Sequence, residues 1–148
     1  NPTDSKAGLT TNETGSVIFR SYGSITYSGL LALLHADVSR DDVRVRSAFS
    51  WATEHWSLDE NPGMGDQGLF FFFNIITKAL STYGADVIQP KDGSEAINWR
   101  SAMADRLVKT QTVEAKGGKG YWVNENGRFW ENDPVLTTSY ALIALETL

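Results

Sequence analysis

Gly68-Leu69-Phe70-Phe71-Phe72-Phe73-Asn74-Ile75-Ile76-Thr77-Lys78-Ala79-Leu80 is apolar on nearly every side when wound as a helix. A helix of that kind belongs in an interior. Its neighbours along the chain are different. Over 42–56, Val45, Ala48, Phe49, Ala52 and Trp56 fall on one stripe, and Arg44, Arg46 and Glu54 lie off it. Over 99–112, Trp99, Met103 and Leu107 share a face opposite Arg100, Asp105 and Lys109. Two further stretches, Tyr27 to Leu34 and Val135 to Leu145, are again apolar all round. The pattern predicts an all-α chain with helices at about 26–35, 42–56, 67–83, 99–112 and from 134 onward. The order is buried, surface, buried, surface, buried, which is the signature of two helical layers.

The punctuation agrees with these boundaries. Asp133-Pro134 sets an N-cap carboxylate before a proline at the first helical position. Ser39 with Asp42 three residues on resembles a capping box. Gly23, Gly63, Gly65 and Gly68 mark turns before the first and third helices, and Pro90 with Asp92-Gly93 marks a surface loop over 86–98. The connection over 114–133 is long and dense in Gly, Asn, Glu and aromatic residues. Ordered loops of that length tend to carry function.

Composition removes several function classes. The 148 residues suit one domain, with a polar segment over 1–22 and the helical part over 23–148. Hydrophobic residues at 41% allow a real core, and 21% charged residues exclude a disordered polyelectrolyte. A net charge of -5 without any Lys/Arg cluster disfavours nucleic acid. No stretch approaches the ~20 apolar residues needed to span a bilayer. The absence of cysteine removes disulfides, thiolate nucleophiles and zinc-thiolate sites, and leaves the compartment open, secreted and periplasmic ones included. The polar start without methionine predicts a processed chain or an excised fragment. No Ser-His-Asp spacing, Gly-rich phosphate loop or paired-His metal motif occurs, so neither cofactor nor metal is expected.

Specific segments carry a resemblance. Leu107-Val108-Lys109-Thr110-Gln111, followed by Gly120-Tyr121-Trp122, resembles the QW repeat of squalene and oxidosqualene cyclases, with a longer gap between Gln111 and Gly120. Ser47-Ala48-Phe49-Ser50-Trp51, leading to Trp56, holds the equivalent place one repeat earlier without the Gln. Leu58-Asp59-Glu60-Asn61-Pro62-Gly63-Met64-Gly65 and the run from Trp122 to Pro134 resemble bacterial prenyltransferase/squalene-oxidase repeat proteins. From about Gly23 onward, the chain resembles the terpenoid cyclase/protein prenyltransferase superfamily. The resemblance implies an α/α toroid, of which this chain supplies about five helices toward the C-terminal part of the ring. The family ring has six inner and six outer helices, so the missing half would come from further sequence or from a second copy.

The resemblance also implies a place for the site. Inner helices of a toroid run parallel, so the loops over 59–67 and 120–133 would meet at one rim. That would gather Asp59, Glu60, Asp66, Glu125, Glu131 and Asp133 with Gln67, Tyr121, Asn124, Asn126, Arg128 and Trp130. Glu131, Asp133 and Glu125 are the candidate catalytic carboxylates; Phe71, from the buried helix, is a candidate for the ligand wall. Each has a plainer reading. Asp66 and Asp133 are placed as N-caps, Glu125, Glu131 and the asparagines can satisfy loop backbone, and Phe70 to Phe73 can be core. Trp122 can simply complete the QW turn, and His35 and His55 read as structural. The Asp-x-Asp-Asp acid of squalene–hopene cyclases is missing; Asp41-Asp42 leads into a surface helix and reads as a cap. The zinc site of protein prenyltransferases needs a cysteine. Three functions stay open: a cyclase-like toroid binding an apolar or isoprenoid ligand, a carbohydrate-active or carbohydrate-binding toroid, and a non-catalytic binding scaffold.

Overall fold

The computed structural model describes residues 5–91 and 93–148, so Asp92 of the expected turn lies outside the described residues. In chain order the elements are β1 (Leu9–Thr11), β2 (Val17–Phe19), α1 (Gly23–His35), α2 (Val43–Glu54), α3 (Leu69–Tyr83), α4 (Trp99–Thr110), β3 (Thr112–Val113), β4 (Gly120–Tyr121), a 3-10 turn (Arg128–Trp130) and α5 (Pro134–Glu146). The described residues are thus mostly helical, with five α-helices and two short antiparallel hairpins. The polar segment before α1 forms the first hairpin, with Leu9 opposite Phe19 and Thr11 opposite Val17. Its turn is held by Asn12, whose Oδ1 accepts from the amides of Thr14 at 3.2 Å and Ser16 at 2.8 Å.

Helix α3 is the centre. It packs between α1 and α5, and α2 packs on α1. Phe70, Phe72, Phe73, Ile76, Ala79 and Leu80 are buried along it. The amphipathic helices bury only their stripes: α2 contributes Val45 and Ala52, and α4 contributes Trp99, Met103 and Leu107 to the same core. Phe49 of α2 stacks on Tyr83 at 4.0 Å between ring centres. Helices α1 and α5 depart from the expectation of burial on every side. Gly29 and Ala32 on α1 are exposed, and Val135 and Leu142 on α5 are at least half exposed. Helix α1 has α3 and α2 beside it and α5 has α3, and each keeps one face uncovered among the described residues.

The helix ends show which readings of the caps hold. Asp42 caps α2 itself, accepting from the Arg44 amide at 2.9 Å, whereas Ser39 Oγ accepts from the Asp41 amide at 3.2 Å. The capping-box reading is therefore replaced by a simple aspartate cap. Asp133 caps α5 through the Val135 amide at 2.8 Å. Asp66 does not cap α3. That place belongs to Gly68 in the left-handed region, which has no side chain to offer, and α3 closes on a second left-handed glycine, Gly84.

The QW-like segment has a physical role. Gln111 ends α4 and its side chain lies so close to Gly120 that a Cβ there would stand 2.5 Å from Nε2. The Trp122 indole N–H donates to the Leu107 carbonyl at 2.8 Å, satisfying one of the carbonyls a helix end leaves free. The long gap between Gln111 and Gly120 is taken up by the β3–β4 hairpin.

Candidate functional site

A helix starting at glycine leaves its first amides without a local acceptor. For α3 the acceptor comes from Glu131, about 60 residues on. Glu131 is fully buried. Its Oε1 accepts from the Phe71 amide at 2.7 Å, and its Oε2 accepts from the Phe70 amide at 3.3 Å and from Asn124 Nδ2 at 2.8 Å. The negative side chain thus sits at the positive end of the helix dipole. The Glu131 carbonyl in turn accepts from the Asn124 amide at 2.9 Å and from Thr137 Oγ1 at 2.7 Å on α5. One residue joins the loop before α5 to α3 and α5.

Asn61 does the same for α1. It is buried, its Oδ1 accepts from the Ser24 amide at 2.9 Å, and its Nδ2 donates to Ser24 Oγ at 3.2 Å and to the Gln67 carbonyl at 3.0 Å. The starts of α1, α3 and α5 are thereby tied at one end of the protein. The sequence points to the loops that contain Asn61 and Glu131 but not to these two roles. The only available signal is the lack of a capping side chain at Gly68.

The two loops are in direct contact. Asn124 Nδ2 donates to the Asp66 carbonyl at 2.7 Å, Asn126 Nδ2 donates to Asp66 Oδ1 at 2.8 Å, and Arg128 Nη1 donates to Gln67 Oε1 at 2.6 Å. Glu125 is exposed. Asp59 points into solvent and pairs with Arg106 Nη1 at 3.0 Å. His35 is exposed at the end of α1, and His55 follows α2 with its ring stacked on Trp51 at 4.2 Å. No group of three His, Asp or Glu residues able to hold a metal occurs among the described residues, and no helix there is long and apolar enough to cross a membrane.

Beside this network lies a cleft of about 390 Å3. Its apolar walls are Met64, Phe71, Phe129, Trp130, Leu136 and Tyr140, and Glu131 is the sole carboxylate of the described residues on its surface. Phe71 meets Tyr140 edge to face at 5.8 Å, joining the α3 and α5 walls. Of the residues singled out from the sequence, Phe71, Trp130 and Glu131 line the cleft; Asp66, Gln67, Asn124, Asn126, Arg128, Asp133, Glu125 and Tyr121 do not. Met64, Leu136 and Tyr140 look like ordinary core or loop residues in sequence, and no local pattern separates them from such residues.

Backbone strain concentrates at the mouth. Phe129 and Trp130 both have left-handed backbone, with φ of 63° and 61°. Two bulky residues in succession rarely adopt it. Trp130 is nonetheless 78% exposed. The turn is held by the Trp130 amide on the Gly127 carbonyl at 3.1 Å and the Asp133 amide on the Trp130 carbonyl at 2.9 Å.

Comparison with protein-family models, with curated proteins and with solved structures gives no significant match to this chain.

Proposed function

We propose that this chain is a section of an α/α toroid whose rim cleft binds an apolar, isoprenoid-like small molecule, and that it acts as a binding scaffold. The row α1–α3–α5 with α2 stacked behind supports the toroid. The uncovered face at Val135 and Leu142 is where further helices of a ring would pack.

The observation that carries the binding reading is the aromatic and aliphatic wall of the 390 Å3 cleft. Its volume falls within the range of small-molecule pockets, about 300–1,000 Å3. The strained, exposed Trp130 supplies a large flat contact at the entrance. The chemistry supports binding over turnover. Both oxygens of Glu131 are taken up by amide donors. Glycosidic hydrolysis calls for two carboxylates about 5–9 Å apart, and the cleft has a single one among the described residues.

Calorimetric titration with farnesol and with a soluble gluco-oligosaccharide tests the reading. Farnesol is expected to bind and the saccharide not to. Trp130→Ala is expected to weaken farnesol about tenfold, the loss of one aromatic contact. Saccharide binding without farnesol binding, or an unaffected Trp130→Ala variant, would overturn it.

A further inference from the structure

A second groove, of about 410 Å3, adjoins the apolar cleft and shares Lys6 and Tyr22 with it. The rest of its surface includes Ser5, Phe19, Arg20, Ser21 and Ile25, so two cations line it and no carboxylate does among the described residues. That is unusual for a chain with 18 acidic against 13 basic residues.

The segments that carry the two cations are tied to each other. The Arg20 amide donates to the Gly8 carbonyl at 3.1 Å, the Gly8 amide donates to the Ser5 carbonyl at 2.9 Å, and Ser5 Oγ donates to the Arg20 carbonyl at 3.0 Å. These ties fold the segment carrying Lys6 back on the end of β2, where Arg20 follows. Neither residue forms an ion pair among the described residues, where the pairs are Arg44–Asp42, Lys91–Glu54 and Arg106–Asp59. An anion in the groove would be attracted by both cations.

Lys6 stands at the junction of the two grooves. A ligand whose tail lies along Met64, Phe71, Leu136 and Tyr140 therefore presents its other end to Lys6 and Arg20. We infer that the ligand of the cleft is a single-chain amphiphile with an acidic headgroup, a carboxylate or a phosphate, bound at Lys6 and Arg20 with its tail in the apolar cleft. This rests on the apolar-cleft reading above and adds the chemistry of the head. The hydroxyls of Ser5, Ser21 and Tyr22 along the groove suit the remaining oxygens of such a group.

Four probes with the same tail test it by calorimetry, the ionic ones below their micelle concentrations and the alcohol below its solubility limit: laurate, dodecyl phosphate, dodecanol and dodecyltrimethylammonium. At low salt the acids are expected to bind roughly tenfold tighter than dodecanol, the gain from two solvent-exposed ion pairs, with the advantage shrinking as salt is raised. Lys6→Gln with Arg20→Gln is expected to bring laurate to the affinity of dodecanol. Lys6→Glu with Arg20→Glu is expected to reverse the preference toward the ammonium. Tighter binding of dodecyl phosphate alone assigns a phosphate head, and equal binding of both acids assigns a head recognised by charge. Equal binding of laurate and dodecanol to the unmodified protein overturns the headgroup inference while leaving the apolar cleft intact. Binding of none of the four removes the apolar-cleft reading itself.

Discussion

Glu131→Gln keeps the size of a fully buried side chain and changes only what it can accept. In the native protein, Oε1 takes the Phe71 amide at 2.7 Å, while Oε2 takes the Phe70 amide at 3.3 Å and Asn124 Nδ2 at 2.8 Å. Glutamine has one carbonyl oxygen and one NH2 group. With its oxygen toward Phe70 and Asn124, the NH2 faces the Phe71 N–H; turned over, it faces two donors. Either way at least one buried donor loses its partner, at about 1–3 kcal/mol. Loss of the charge at the start of α3 adds roughly 1 kcal/mol. The total, about 2–4 kcal/mol, is a large part of the ~5–15 kcal/mol that holds such a domain folded. At about 2–4 °C per kcal/mol for a chain of this size, Tm is expected to fall by roughly 5–15 °C. Thermal and urea denaturation followed by far-ultraviolet circular dichroism measure this. Glu131→Ala should fall further, because it strands all three donors and opens a cavity. A Glu131→Gln protein that melts within about 2 °C of the native one would refute the claim that this carboxylate holds the start of α3.

Further expectations follow from single contacts. Gly23→Ala places a Cβ 2.7 Å from Asn61 Oδ1 and Pro62 Cδ and 2.9 Å from Phe72 Cε2, so urea denaturation should show a loss of about 1–3 kcal/mol, as for overpacking. Hydrogen bonding from Arg44 holds the Asp42 carboxyl at about 2, below its ordinary 3.8; a lowered folded pKa gives stability that is complete above about pH 3.8 and lost as pH falls toward 2. Asp42→Asn should flatten that part of the stability–pH curve measured by denaturation. Trp130→Gly removes a bulky side chain from left-handed backbone, so it should melt at or up to a few degrees above the native protein, by about 1 kcal/mol, while losing affinity for the cleft ligand in calorimetry.

The difference between what sequence made legible here and what it did not is one of range. Asp42 and Asp133-Pro134 act on neighbours a few residues away, and the helices of the chain lie within a residue or three of their expected bounds. The apolar periodicity of α2 and α4 likewise names the residues that reach the core. For α1 and α5, all-round hydrophobicity states what a helix requires, and whether Ala32, Val135 and Leu142 are covered depends on what else packs there. The short hairpins escaped because strands of two or three residues carry no period to read. The site divides in the same way. That the loops before α3 and α5 come together follows from two buried helices lying side by side. That Glu131 feeds α3 across some 60 residues, and Asn61 feeds α1 across 37, involves no local spacing. Yet a partial signal was present. A glycine heads this strongly apolar helix, and once Asp66 two residues earlier fails to take its amides, an acceptor must come from elsewhere in the chain. In a chain whose long loop before α5 carries buried-compatible Asn and Glu beside aromatics, the most economical source is that loop. Gly68 matters for the same reason: the αL start that denies α3 its own cap lets Glu131 close the end of α3 and, in doing so, fixes Trp130 at the mouth of the cleft.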